Sequence, residues 1–274
     1  MTSPTEELKD FIEAQAPVAL VEVAEAKGST PRESGASMLV SHERIHGTIG
    51  GGQLEFMAIH RARELLRDGA LRAGLDIPLG PEIGQCCGGR VALAIRLVDD
   101  ALKADLIAQA RREDRARPHV YVFGGGHVGT ALAAAFSLLP VHVQVVETRA
   151  DALEGMPAAV DKKLTPVPEE VVREAPPASA FVVLTHDHAL DFLIVGEALK
   201  RGDAAYVGMI GSKTKKATCR SWYLKTAGGT EAEFARLITP IGGEAVRDKR
   251  PAVIAALAAA EIMTALAART LAPR

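Results

Sequence analysis

Cys86 and Cys87 stand side by side in Gly84-Gln85-Cys86-Cys87-Gly88-Gly89, in a chain with only three cysteines in all. Glycines let the backbone turn tightly and approach a ligand closely. A thiol in such a loop is therefore presented rather than packed. The thiolate is both a nucleophile and a soft metal ligand, so the pair suits holding a soft metal or carrying sulfur. Two alternatives stay open on the residues alone: a strained vicinal disulfide, or two cysteines serving as inert core residues.

Four further groups carry chemistry. Gly124-Gly125-Gly126-His127-Val128-Gly129 is a G-x-G-x-x-G loop between an apolar run and a helical pattern, the context in which backbone amides at a helix start bind phosphate. Glu147 ends the next apolar run, near where a ribose-binding acid belongs. His127 stands where dinucleotide loops carry a smaller or apolar residue. Thr185-His186-Asp187-His188 with Asp191 offers imidazoles and carboxylates for a divalent metal. The preferred alternative has Asp187 capping the next helix while the histidines face a ligand cleft. Gly208-Met209-Ile210-Gly211-Ser212-Lys213, followed by Lys215 and Lys216, favours an anion, although it lacks P-loop spacing and a solvated basic helix start explains it equally well. In the first half, Ser29-Thr30-Pro31-Arg32 and Gly50-Gly51-Gly52-Gln53-Leu54-Glu55 supply a guanidinium that can fork onto an oxyanion, an amide and a carboxylate. Taken with the cysteines, they suggest one polar, glycine-walled pocket.

The elements that must position these groups differ between the two halves. Ser3, Pro4 and Glu6 spell a capped helix start. Alternation predicts strands over 18–26 and 36–40, a helix from about Gln53, and strands over 71–77 and 90–97. Residues 99–117 read as a polar, partly helical linker. From His119 strands and helices alternate strictly, with strands over 120–123, 142–147, 181–185 and 204–209 and helices over 128–139, 190–200 and 251–269. That rhythm implies parallel strands joined by right-handed crossovers. The expectation is an α/β chain: a smaller N-terminal α+β domain with the cysteine loop over 1–98, and a Rossmann-like, doubly wound parallel sheet over 118–274.

With 274 residues, 48% hydrophobic and 24% charged, the composition is that of an ordinary globular protein. A net charge of −2 recommends neither nucleic acid nor an anionic membrane as partner. Three cysteines make no disulfide framework. No basic and apolar leader is visible at the N-terminus. The apolar stretch after Pro251 is interrupted by Glu261 and reads as a buried helix. A cytoplasmic, reducing compartment is expected.

The ordered blocks together resemble the XdhC/CoxI family. They are Gly28-Ser29-Thr30-Pro31-Arg32, Gly47 to Gly52 with Glu55, Gln85-Cys86-Cys87-Gly88-Gly89, Phe123 to Gly129, Thr185 to His188 and Tyr206 to Lys213. Closing segments at Thr239-Pro240-Ile241-Gly242 and Lys249-Arg250-Pro251 continue the match. The resemblance implies a non-enzymatic chaperone of the molybdenum cofactor, with Mo-molybdopterin as its guest. Such proteins shield the cofactor, hold it while a cysteine desulfurase replaces an oxo ligand by sulfido, and deliver it to the xanthine dehydrogenase apoprotein. A homodimer is the family expectation. Cys86 or Cys87 would contact molybdenum or carry sulfur. Gly124, Gly126 and Gly129 would hold phosphate, with His127 facing the pterin or metal. Arg32, Gln53, Glu55, Glu147, His186, Asp187, Ser212 and Lys213 would complete the site. The competing readings are an NAD(P)-dependent oxidoreductase, in which the first half is the substrate domain, and a nucleotide-sensing regulatory module.

Overall fold

Pro4 opens the first helix of the computed structural model, which describes residues 4–80 and 88–271, with side chains as far as 269. The expected cap at Ser3 and the cysteine pair with Gln85 lie outside the described residues. The chain divides after Ala116 into two compact units.

The first unit runs α1 (Pro4–Ala14), β1 (Ala19–Lys27), β2 (Ser37–Val40), β3 (Ile45–Gly47), α2 (Gly52–Asp68), β4 (Arg72–Pro78), β5 (Arg90–Leu97) and α3 (Asp100–Arg115). Its strands form one antiparallel sheet in the order β3-β2-β1-β5-β4. Alternation along β1 sends Ala19, Val21 and Val23 to one face, where they pack with Leu54, Ala58, Ala62 and Leu65 of α2. Leu20 turns to the other face with Leu39, against Phe11 and Ile12 of α1 and Leu102 and Leu106 of α3.

Residues 99–117 are therefore not a free linker. Asp99 caps α3 by accepting from the Leu102 amide, Lys103 donates to Glu13 of α1 at 2.9 Å, and the helix belongs to the first unit. Its polar face is solvated while one apolar edge is packed, and the sequence reading saw only the polar face.

The second unit runs β6 (His119–Phe123), α4 (His127–Phe136), β7 (His142–Glu147), β8 (Asp161–Leu164), α5 (Pro168–Glu174), β9 (Ala180–Val183), α6 (His188–Lys200), β10 (Tyr206–Met209), α7 (Lys213–Lys225), α8 (Glu231–Phe234), β11 (Leu237–Ile238) and α9 (Pro251–Leu271). The parallel sheet has the order β11-β10-β9-β6-β7-β8, the doubly wound dinucleotide-binding order with its reversal between β6 and β9. In β6, Val120 and Val122 face α4 and α9, while Tyr121 and Phe123 face α5, α6 and α7. Both faces of the sheet are thus covered, as a parallel sheet requires. The edge strands β8 and β11 escaped sequence reading because Asp161-Lys162-Lys163-Leu164 is wholly exposed and β11 has two residues. Among the described residues α9 alone is long and apolar enough to cross a membrane. Its Ala255, Ala258, Ile262 and Leu266 are buried in the core beside the sheet.

Candidate functional site

Three glycine loops meet in the first unit. A Cβ placed on Gly89 would lie 2.3 Å from the Ser29 carbonyl oxygen and 2.7 Å from that of Lys27, and Ser29 and Gly88 form a parallel bridge. A Cβ on Gly50, where φ is +124°, would lie 2.6 Å from Pro31 Cβ and 3.3 Å from Arg32 Cγ. The Gly28–Arg32 loop is thus clasped between Gly88-Gly89 on one side and Gly50 on the other. Cys87 is bonded directly to Gly88, so the chain leading from the cysteines enters the sheet at this junction.

The Gly47–Gly52 turn is held by Glu55, whose Oε2 accepts from Thr48 Oγ1 at 2.5 Å, the Ile49 amide at 3.1 Å and the Gly51 amide at 3.2 Å. Ile49 anchors the same turn in the core. Arg32 and Gln53 are exposed, Gln53 on the first turn of α2, where backbone amides lack helical partners. Glu55 therefore acts on the loop's shape, leaving Arg32 and Gln53 as the groups turned to solvent.

In the second unit the three glycines at the G-x-G-x-x-G positions after β6, Gly124, Gly126 and Gly129, do different work. On Gly124, with φ +117°, a Cβ would fall 2.4 Å from the Leu184 carbonyl oxygen. On Gly129 it would fall 2.0 Å from the Gly124 oxygen, so α4 can pack on β6 only through glycine. On Gly126 it would meet nothing within 4 Å. Gly126 is the N-cap of α4 and the place where a ligand's phosphate can approach the backbone. His127 beside it is exposed.

Glu147 departs from the ribose-binding expectation. It is 4% exposed. Oε2 accepts from the Gly125 amide at 2.9 Å, and Oε1 accepts from the Thr148 and Arg149 amides at 2.8 and 3.2 Å. Burial pushes its pKa up, but these backbone bonds and the Arg149 charge outweigh burial and leave it below the ordinary value. The carboxylate fixes the glycine loop instead of waiting for a diol.

The loop after β9 follows the same pattern. Asp187 caps α6, accepting from the Ala189 amide at 2.8 Å. His186, Asp187 and His188 are all exposed. Asp191 is fully buried. Its Oδ1 accepts from the Thr185 amide at 3.0 Å and from Thr185 Oγ1 at 2.7 Å, and Oδ2 pairs with Lys215. No group of three or more His, Cys, Asp or Glu among the described residues is placed to hold a metal. After β10, Ser212 caps α7 by accepting from the Lys215 amide at 3.2 Å, and Lys213 lies 3.7 Å from Glu244 in the open.

The loops after β6, β9 and β10 are thus joined in a row along the carboxyl edge of the sheet, the edge at which open α/β sheets bind ligands. The Gly124–Leu184 approach makes the first join and the Asp191–Lys215 pair the second. Reading the sequence grouped Asp191 with the histidines at a ligand cleft and Lys215 with an anion-favouring helix start, and missed their pairing. The signal that could have found it was a lone acid in the otherwise apolar Leu190–Val195 run.

Comparison with known proteins agrees with this architecture. Residues 120–262 match the family described as the XdhC Rossmann domain, and residues 11–74 match the XdhC and CoxI family. The chain is 26% identical over 263 residues to the Escherichia coli (strain K12) protein named Uncharacterized protein YqeB, covering 92% of this chain and 44% of that protein. It therefore spans less than half the length of this curated relative. A solved structure described as a xanthine dehydrogenase from Bacillus halodurans shares the fold with a TM-score of 0.82 at 18% identity, covering 100% of this chain and 98% of the other. With the Rossmann-domain match alone extending over more than half of its residues, this chain belongs to the XdhC family.

Proposed function

We propose that this chain is an accessory protein of xanthine dehydrogenase maturation that carries the molybdenum cofactor. In this reading it binds Mo-molybdopterin as cargo, shields it, presents it to a cysteine desulfurase for sulfuration, and releases it to the apoprotein. It does so in the cytoplasm, as a homodimer, without catalysing a reaction of its own. Membership of the XdhC family supports this, and a fold neighbour described as a xanthine dehydrogenase is in keeping with it.

The observation that carries the reading is the clasp of Gly88-Gly89 on Lys27–Ser29 and of Gly50 on Pro31-Arg32. It holds the Gly28–Arg32 loop between the start of β5 and the turn before α2, and this is what supports a role for the first unit's glycine loops in holding cargo. The cargo's chemistry suits groups found in each unit taken by itself: a thiophilic metal suits the thiols of the first, and a phosphate suits an amide-lined turn such as the open one at Gly126 in the second. His127, His186, Asp187, Ser212 and Lys213 are the polar groups available at the second unit's loops. Hydrogen bonds from loops, rather than a closed cage of metal ligands, allow release.

Purification from cells that make molybdopterin, followed by metal analysis and fluorescence of the oxidised pterin, tests this. The wild type should carry both, and the C86A/C87A double variant should carry neither while melting at an unchanged temperature. A double variant that still matures xanthine dehydrogenase normally overturns the thiol assignment. The strand order and the three glycine roles also suit NAD(P); tight NAD(P) binding with turnover, and no molybdenum, would decide for an oxidoreductase.

A further inference from the structure

Beside the loop after β10 lies a cavity of about 620 Å³, within the range of small-molecule sites and far larger than a free phosphate needs. Ile210 and Ile241 form one part of its wall, and Ile254 and Leu257 of α9 another. The wall is braced from behind. Tyr206 donates to Glu261 of α9 at 2.5 Å, and Glu261 also accepts from the Gly242 amide at 3.3 Å. A Cβ on Gly242 would lie 2.9 Å from Leu257 Cβ, so this turn sits directly on α9. Thr239 Oγ1 donates to the Met209 carbonyl at 3.1 Å, and Lys215 donates to that of Ile210 at 3.0 Å. These bonds make the hollow a preformed one.

The rim has a net positive character. Lys213, Arg247 and Lys249 line it against Glu244 and Asp248. Asp248 is engaged by Arg250 at 2.6 Å and Glu244 lies 3.7 Å from Lys213. Among the described residues Arg247 and Lys249 have no acidic partner. An apolar chamber with glycines on its wall and, among the described residues, two cations without an acidic partner at its mouth suits a small organic anion with an apolar body. A bare inorganic ion would leave the apolar wall unfilled.

We propose that this cavity binds a small organic anion, a carboxylate or phosphate carried on an apolar or ring body, with the body against Ile210, Ile254 and Leu257 and the anion at Arg247 and Lys249. The cavity is lined also by Ser212 and Lys213, which the reading above offers to the cargo, but not by Gly126; the inference does not rest on the identity of that cargo.

The test uses the full chain, free of cargo, titrated with the fluorescent probe pterin-6-carboxylate, with adenosine 5′-monophosphate, and with inorganic phosphate. At least one ring compound should bind saturably, and the preferred one distinguishes a pterin from a nucleotide source. R247A/K249A, which alters only exposed side chains, should weaken binding by about tenfold or more, and Leu257→Trp should abolish it. Absence of saturable binding by both ring compounds overturns the proposal. So does displacement by equimolar phosphate, or binding that R247A/K249A and Leu257→Trp leave unchanged.

Discussion

Lys215 and Asp191 form an ion pair sealed from water, the carboxylate 0% and the lysine side chain 8% exposed. Asp191 projects from α6 and Lys215 from α7, and each also binds backbone of a neighbouring loop: Thr185 for the acid, Ile210 for the base. The pair thereby sets the spacing between the loops after β9 and β10. Removing one partner of a buried pair strands the other charge, at a cost of about 3–5 kcal/mol, whereas replacing both with apolar groups is often near neutral. Asp191→Ala and Lys215→Met should each destabilise by that order, and the D191L/K215M double variant by much less than their sum. Urea unfolding followed by the fluorescence of Trp222, the chain's one tryptophan, measures this. Additive losses would rule the coupling out.

Glu147 ties the glycine loop to the end of β7 through a carboxylate that acid can neutralise. Its folded pKa lies below its ordinary value of 4.5: burial raises it, but the Gly125, Thr148 and Arg149 backbone bonds and the Arg149 charge together outweigh burial. A depressed carboxylate contributes stability that is fully present above the unfolded value and is lost as pH falls through the folded one. Glu147→Gln should therefore lower stability at pH 7 by about 1–3 kcal/mol, with the difference from wild type shrinking below pH 4.5. Paired denaturation curves at neutral and acid pH check the sign. A gap that widens in acid would contradict it.

Gly126 and Gly129 share one motif but should fail differently. A methyl on Gly129 meets the Gly124 oxygen at 2.0 Å and Leu184 Cδ1 at 3.1 Å, whereas a methyl on Gly126 meets nothing within 4 Å. Gly129→Ala should thus cost at least about 1–3 kcal/mol, since backbone must shift. Gly126→Ala should stay within about 1 kcal/mol of wild type yet lose retained pterin and molybdenum, because the methyl occupies the approach to the α4 amides. Melting curves and pterin content on the same preparations separate the two. Equal retention in Gly126→Ala would remove this loop from the cargo site.

The motifs and the parallel sheet were legible because they depend on local rules: glycines where φ is positive or backbones touch, and apolar runs where a strand is covered on both faces. What a side chain does with its charge was not legible. Glu147 and Glu55 sit at motif positions that suggest ligand contact, yet both bind protein amides. The difference is a matter of burial and direction, which spacing does not encode. Asp191 and Lys215 are 24 positions apart and meet only because β9 and β10 are neighbours. The α3 helix was misread for a related reason, since Leu102 and Leu106 find their partners in α1 and β1 across a long stretch of chain.

Gly89 tests whether the first unit's clasp matters to the thiols. Its Cβ would strike the Ser29 and Lys27 carbonyl oxygens at 2.3 and 2.7 Å, both backbone atoms that cannot rotate away. The neighbouring amides fix the register too, with Leu79 N bonded to Gly89 O and Gly88 N to Leu79 O, both at 2.8 Å. Gly89→Ala must therefore push the start of β5 away from the Gly28–Arg32 loop, at about 1–3 kcal/mol. That shift moves the attachment point of Cys87 relative to Arg32, so cargo retention should fall, as is expected of the C86A/C87A variant. Gly35→Ala is the control: its Cβ meets nothing within 4 Å but its φ is +91°, so it strains a turn in the same unit without touching the clasp. If both variants lose similar stability and retain the same molybdenum, the position of the cysteine segment is not set by Gly89, and the first unit's part in holding the cargo rests elsewhere.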